Sequence, residues 1–253
     1  MNLKQKIRNK ELTLGSWITI PNQAVIEIMA TAGFDWLTID IEHSAIGIES
    51  IQNLIGFIQA KGIKALVRVY GNDEVIIKRV LDAGADGIIV PMIKSKEEAQ
   101  ELVNHVYYPP LGKRGVGLSR AQNYGLGFDK YQETLKNDII VIAQIEHIDA
   151  INNLEEILSV EEIDSTLIGP YDLSASMNKP GKYDLPEVKE AIAKYDKICD
   201  ELNKPKGAHV IQSDNSFTKE KMELGYSFLA FSLDFFFLGD KAREQMEVIK
   251  KSI

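Results

Sequence analysis

Cysteine is almost missing from this chain: one residue in 253, Cys199. A single thiol cannot close an intramolecular disulfide, so the core must hold the fold, and a reducing, cytoplasmic setting is expected. Basic charge is in deficit, with 29 Lys and Arg against 37 Asp and Glu and a formal net charge of −8. That balance favours solubility and argues against nucleic acid, which wants a basic face. Long uncharged apolar runs are lacking, which predicts no membrane span. The opening MNLKQKIRNKE is charged where a secretory signal would be apolar.

What is present is a rhythm. Short apolar segments alternate with longer stretches of helical period, the pattern of repeated βα units around a parallel sheet. Strands are predicted at residues 16–20, 36–40, 65–69, 87–92, 141–146, 166–169, 207–211 and 228–232. Helices are predicted at 23–32, 48–61, 73–83, 97–107, 150–159, 186–202, 217–224 and 236–250. Glycines follow several of these helices, as Gly33, Gly62, Gly84 and Gly225 do, where a left-handed residue ends a helix at little cost. Eight strands in a chain of this length fit a closed (β/α)₈ TIM barrel, which takes about 250 residues. No linker-like segment divides the sequence, so residues 1–253 are read as one α/β domain.

One stretch breaks the rhythm. Residues 108–138 carry PPLGKRGVGLSRAQNYGLG ahead of the fifth strand, far longer than an ordinary βα connection. Its glycines, with Arg114 and Arg120, predict a mobile lid or an anion-handling segment.

Active sites of such barrels lie at the C-terminal ends of the strands. The second strand runs through TIDIEHSAIG and there supplies Asp40, Glu42 and His43; the third carries Arg68. The fifth ends in Gln144 and Glu146, spaced by two so that both leave one face. The sixth runs LIGP into Tyr171 and Asp172. Glu146 and Asp172, from adjacent strands, suit a hard divalent cation that keeps several waters, Mg²⁺ or Mn²⁺ with Co²⁺ as a further option, rather than a closed zinc cage. Such a cation could chelate a 2-oxo acid. Arg68 could face the keto oxygen and stabilise an enolate, and His43 could move a proton directly or through a bound water. A Schiff-base mechanism would need a lysine near the strand tops, whereas Lys64 and Lys206 open their strands and Lys113 sits in the long loop.

Ordinary roles compete with these. His43 could bond Asp40 or Glu42 structurally, Glu146 could cap a helix, and Asp172 could be an N-cap. His147 should face the helix layer, His105 lies mid-helix, and His209 has a weaker case than His43. Arg68 requires an anionic partner because VRV is a buried strand. The joint placement of these groups at one rim favours the functional reading.

At this point the chain resembles the HpcH/HpaI class of metal-dependent 2-oxo-acid aldolases. The likeness rests on GSW, ATAGFDWLTIDIEH, LVRV, IKRVLDAGADGIIVPM, YYPPLGKRGVG, QIE and IGPYDLSASM, which together span nearly the whole chain. It implies Glu146 and Asp172 as metal ligands, Arg68 as the enolate-stabilising cation, and His43 as acid–base residue oriented by Asp82 of a neighbouring subunit. Gln144 would contact the 2-oxo acid, and the backbone around Gly169, Pro170, Tyr171 and Asp172 would hold its carboxylate. The substrates implied are pyruvate and an aldehyde, joined in a 4-hydroxy-2-oxo acid such as a 2-keto-3-deoxy sugar acid. The assembly implied is a homo-oligomer, a hexamer built as a trimer of dimers that exchange the C-terminal segment 236–253. The chain departs from the family at Tyr171, which adds bulk beside the substrate, and in SRAQNYGLGFDKY. Two other readings are an acyl-CoA ester lyase of the malyl- or citramalyl-CoA type, its CoA phosphates met by Lys113, Arg114 and Arg120, and a non-catalytic 2-oxo-acid-binding barrel.

Overall fold

The computed structural model describes residues 1–252; Ile253, the last residue of the predicted C-terminal segment, lies outside the described residues. Eight parallel strands close into a barrel in sequence order: β1 Thr13–Ile18, β2 Trp36–Asp40, β3 Lys64–Arg68, β4 Gly87–Val90, β5 Ile140–Ile145, β6 Ser165–Ile168, β7 Lys206–Val210 and β8 Phe228–Leu233. The helices are α1 Leu3–Arg8, α2 Gln23–Ala30, α3 Ile48–Ala60, α4 Glu74–Asp82, α5 Lys96–Val106, α6 Phe128–Asp138, α7 Ile148–Asn152, α8 Leu154–Leu158, α9 Pro170–Ser176, α10 Pro186–Glu201, α11 Ser216–Glu223 and α12 Asp234–Lys251. The predicted TIM barrel is therefore present, with every predicted strand within three residues of its place at the N-terminal end and two at the C-terminal end. None of the helices among the described residues is long and apolar enough to cross a membrane.

The strand register shows how the barrel interior is layered. Trp17 is level with Thr38 and, through it, with Leu66; Arg68 is level with Ile89 and Ile142; Gln144 with Leu167 and Gly207; His209 with Ala230 and Gly15. Barrel stagger advances a layer by two residues at each alternate strand. Following that advance, Trp17 leads to Arg68, Arg68 to Gln144, Gln144 to His209, and His209 back to Trp17. These four inward side chains from the odd-numbered strands form one layer near the top of the interior, with Asp40 above it on β2. The layer below contains Gly15, Leu66, Ile142 and Gly207. Both glycines are required there. A Cβ on Gly15 would lie 2.0 Å from the Trp36 ring, and one on Gly207 would lie 2.9 Å from Phe228 and 2.3 Å from the Thr166 carbonyl. The space they leave is filled by Trp36 and Phe228, stacked at 4.4 Å.

Helix α1 closes the bottom of the barrel. Its Leu3 and Ile7 join the interior cluster with Trp36, Leu66 and Phe228. Lys4 is buried there and donates to the Ile139 carbonyl at 2.6 Å, with Asp164 3.1 Å away. This helix was not predicted, because a six-residue segment with two apolar positions carries almost no periodic signal.

Residues 108–138 differ from expectation. They contain a 3₁₀ turn at Arg120–Gln122 and helix α6, and their arginines turn inward. Arg114 is buried, donates to Asp82 at 2.5 Å and to the Tyr131 hydroxyl at 3.1 Å, and lies 4.8 Å from the Tyr108 ring. Arg120 donates to the Ala83 carbonyl at 3.0 Å and to Gln59 at 2.8 Å. Both cations clasp the segment to the barrel body; Arg114 is buried, while Arg120 stays half-buried at the edge of a surface cavity that Lys64 also lines.

Candidate functional site

The mouth of the barrel opens into a cavity of about 570 Å³ lined by four of the side chains expected there, His43, Arg68, Gln144 and Asp172. Arg68 rises from the end of β3 beside Asp40 at the end of β2, the two residues being level in register. Its Nε donates to Asp40 Oδ1 at 2.9 Å and its Nη2 to Oδ2 at 2.7 Å. Glu42 lies 3.4 Å from the same guanidinium, and the Trp17 ring lies 4.2 Å beneath it. The anionic partner demanded by a buried arginine is thus Asp40, supplemented by Glu42. The bidentate grip fixes the guanidinium plane and leaves Nη1 unspent.

His43 sits at the rim. Its backbone N–H donates to Asp40 Oδ1 at 3.3 Å, and its Nε2 is 3.7 Å from Glu42 Oε2. Two-thirds of the side chain is exposed (68%), so the ring reaches the cavity rather than serving as core packing.

Glu146 stands just past β5 and is buried. Its Oε1 accepts from the Met92 amide at 3.0 Å, and its Oε2 accepts from the Gln144 side-chain amide at 2.6 Å. The shared face predicted from the spacing of two is therefore observed. Met92 adopts a left-handed backbone (φ 58°), a strained setting for a non-glycine residue, and this turns its N–H toward the carboxylate. Gly169, just past β6, presses against Glu146 from the other side; a Cβ there would come within 2.9 Å of the carboxylate. Burial, then the nearby carboxylates of Glu42 and Asp172, push Glu146 up to about 7, against the pull of its two donors. Burial likewise raises Glu42, with Arg68 opposing and Asp40 and Asp172 adding to it.

Asp172 is exposed in the first turn of α9. Among the described residues no group of three or more His, Cys, Asp or Glu side chains has metal-holding spacing. The donor set is instead two carboxylates, Glu146 buried and Asp172 exposed. The buried Glu42 Oε2 and Gln144 Oε1 also have no hydrogen-bond partner among the described residues. A buried Glu146 raised by two neighbouring carboxylates, beside acceptor oxygens without hydrogen-bond partners, marks a place that favours a cation. The residues fit a divalent metal.

The expected carboxylate-binding backbone needs correction at two positions. Pro170 has no N–H, and the Gly169 N–H is spent on the Ile145 carbonyl at 3.0 Å. The amides of Tyr171 and Asp172 remain, in a first helical turn that has no internal acceptor for them. The Tyr171 side chain is exposed at the rim.

Asp82 is not brought to His43 within the chain. It ends α4 and is paired with Arg114. His147 caps α7 and accepts from the Asp149 amide at 3.1 Å, and His105 meets Asn72 at 3.1 Å, so both have structural roles. Three site residues were missed or passed over: Glu42, wedged between Arg68 and His43; Trp17, beneath Arg68; and His209, whose ring lies 5.2 Å from that of Trp17. The GSW motif and the inward alternation of Gly207 and His209 are the only signals that could have found the last two.

Residues 13–225 match the family described as HpcH/HpaI aldolase/citrate lyase. The chain is 36% identical over 232 residues to a hydroxypyruvate/pyruvate aldolase of Sagittula stellata, covering 91% of this chain and 90% of that protein. It is also 36% identical over 234 residues to a pyruvate aldolase of Rhizobium etli, covering 92% and 91%. Among solved structures, an HpcH/HpaI aldolase/citrate lyase family protein of Burkholderia cenocepacia superposes with a TM-score of 0.92 at 28% identity, covering 98% of each chain.

Proposed function

This chain belongs to the HpcH/HpaI aldolase/citrate lyase family, and from that premise we propose that it is a class II aldolase: it reversibly cleaves a 4-hydroxy-2-oxo acid into pyruvate and an aldehyde. The observation that carries the reading is the buried Glu146, pushed up to about 7 beside Glu42 and Asp172, its carboxylate held by Gln144, which lines the same cavity as Arg68 and Asp172. Glu146 and Asp172 would hold the divalent cation, Mg²⁺ or Mn²⁺, with Gln144 steadying Glu146. When bound, that cation would polarise the keto and carboxylate oxygens of the 2-oxo acid.

The remaining chemistry falls to the chain's own side chains. In cleavage, His43 accepts the proton of the C4 hydroxyl, the C3–C4 bond breaks, and C4 leaves as the aldehyde carbonyl. The electron pair passes to the pyruvate fragment as an enolate. Arg68, held rigid by Asp40, faces the enolate oxygen with its unspent Nη1. Protonation of C3 then gives pyruvate. The amides of Tyr171 and Asp172 receive the substrate carboxylate. Tyr171 and Tyr183 narrow the entrance.

The site residues and the assembly belong to this same proposal. Helix α12 presents exposed Leu238, Met246, Val248 and Ile249, apolar surface that suits a trimer of dimers built by exchange of this segment. Asp82 would reach His43 from a neighbouring subunit. A cytoplasmic location accords with a lone, buried Cys199. The acyl-CoA alternative is weakened, because two of its three cations, Arg114 and Arg120, are committed to the barrel body, which leaves the exposed Lys113 for CoA phosphates.

The test is exchange of the pyruvate methyl protons with D₂O in the presence of Mn²⁺, read by NMR. The wild type should exchange and Glu146→Gln should not. Equal exchange in both, or none in the wild type, overturns the assignment.

A further inference from the structure

His209 is a histidine without an assigned task near the top of the barrel interior. It closes the interior layer of Trp17, Arg68 and Gln144, on the strand diametrically opposite Arg68. Its Nε2 is buried and has no hydrogen-bond partner among the described residues. Burial and the nearby Arg68 charge hold the ring neutral, pushing it down to about 3. A neutral imidazole can both donate and accept. A buried, unpaired ring nitrogen is costly in a core, and this one lines the cavity, where a ligand could pair with it.

The position in the barrel indicates which part of the substrate it meets. The charged groups assigned to the 2-oxo acid come from β2, β3, β5 and β6. The opposite wall, from β7 and β8 and the segments after them, is apolar: Ile211, Phe217, Leu233, Phe235 and Phe236 line it. Of the other polar groups on that side, Gln212 is exposed at the rim and the deeper ones are already engaged. The Thr19 hydroxyl donates to Asp234 at 2.7 Å, and Asp40 is held by Arg68. The Lys221 ammonium lies 4.9 Å from the Tyr226 ring, so the lysine offers the cavity its aliphatic stem. His209 is then the buried polar group left free at the floor of an otherwise apolar wall.

We infer that His209 is the specificity residue for the aldehyde, hydrogen-bonding a hydroxyl on the carbon next to its carbonyl while the apolar wall receives a carbon-terminated end. The preferred acceptor class is a short, uncharged 2-hydroxyaldehyde. This inference rests on the aldolase reading above and deepens it.

The experiment condenses pyruvate with 2-hydroxypropanal and, separately, with propanal, using the Mn²⁺-loaded enzyme and quantifying product by mass. The two aldehydes differ by one hydroxyl. A site built around a hydroxyl should favour the first by at least about 10-fold in kcat/KM. In His209→Leu that ratio should fall to about unity, and His209→Gln, which keeps a donor and an acceptor, should retain part of it. A wild-type ratio near unity overturns the inference without reference to any variant. So does a His209→Leu ratio equal to that of the wild type. Pyruvate methyl exchange by the wild type is measured alongside: exchange without hydroxyl preference removes the role of His209 alone, and absence of exchange removes the aldolase reading together with it.

Discussion

Arg68 and Asp40 stand level on neighbouring strands and are clasped by two hydrogen bonds of 2.9 and 2.7 Å, the carboxylate buried and the guanidinium stacked 4.2 Å above Trp17. The pair explains how a barrel interior tolerates a full positive charge. It also fixes the direction in which the free edge of the arginine points. Asp40→Ala should leave the guanidinium with only Glu42 nearby. Loss of one partner of a buried pair costs about 3 kcal/mol or more, so urea unfolding should show that loss. A variant of wild-type stability would mean that Glu42 alone carries the pairing.

Glu146 yields a prediction with a definite sign. Its folded pKa, about 7, is raised above the ordinary value of 4.5. The metal-free folded protein therefore binds more protons than the unfolded chain between those values, and stability falls as pH rises through that window. The change should reach up to about 3 kcal/mol, the free-energy equivalent of the shift. Thermal melts of metal-stripped protein from pH 5 to pH 8 should show the decline, Glu146→Gln should flatten it, and Mn²⁺ should reverse it. In the same range Mn²⁺ affinity should strengthen with pH, because the ion competes with the carboxyl proton. A pH-independent affinity would separate Glu146 from the metal.

His209 predicts the opposite slope. Its folded pKa is depressed to about 3 from 6.5. The stability tied to the neutral ring is complete above 6.5 and is lost as pH falls toward 3. Comparison of wild type with His209→Gln isolates this group from the carboxylates that titrate in the same acid range. The stability of the wild type relative to the variant should drop between pH 6.5 and 5, by no more than about 1.4 kcal/mol per pH unit.

Gly169→Ala tests close packing against the candidate metal site. The added methyl would sit 2.9 Å from both the Cβ and Oε2 of Glu146. The backbone of Gly169 is not left-handed, so the conformation itself accepts alanine. The side chain of Glu146 must then shift from the Gln144 amide. Mn²⁺ affinity measured by calorimetry should fall by about 10-fold or more with little change in unfolding midpoint. An unchanged affinity would show that Glu146 can move without loss of the ion.

The barrel was legible because each strand is a short apolar run bounded by helical period, and Trp36–Asp40 was placed to the residue. The start of β1 was placed three residues late because Gly15 looks like a strand breaker. In the fold it is the residue whose missing side chain admits Trp36. The acid and amide of QIE were legible from spacing alone, since alternation in a strand fixes the face. His209 obeys the same alternation, but the inward position two before it is Gly207, which carries no side chain, so the alternation marked its face less plainly than in QIE. The direction of Arg114 and Arg120 was hidden for a different reason: a loop's composition does not state which way its cations turn, and here Asp82 and Tyr131 bury Arg114 while Gln59 and the Ala83 carbonyl hold a half-buried Arg120.

Asp82 leads to a prediction about assembly. In the single chain its Oδ1 is held by Arg114 at 2.5 Å, while about a quarter of the side chain (24%) stays exposed in a surface cleft with Glu49, Gln52 and Ser119. The arginine lowers the cost of keeping a carboxylate half-buried there and fixes its direction. That arrangement suits an acid meant to meet a histidine across a subunit boundary, since His43 on the barrel rim is itself 68% exposed and, among the described residues, its ring has only Glu42 for an ionic neighbour. His43→Ala and Asp82→Ala oligomers should each be impaired. If the two residues meet only between subunits, dissociating and remixing the two variants should create some interfaces carrying both native residues. Activity of the mixture should then exceed that of either parent, and the gain should disappear if mixing is done without dissociation. Should the remixed sample stay at the level of its parents, Asp82 serves Arg114 alone and His43 acts without it.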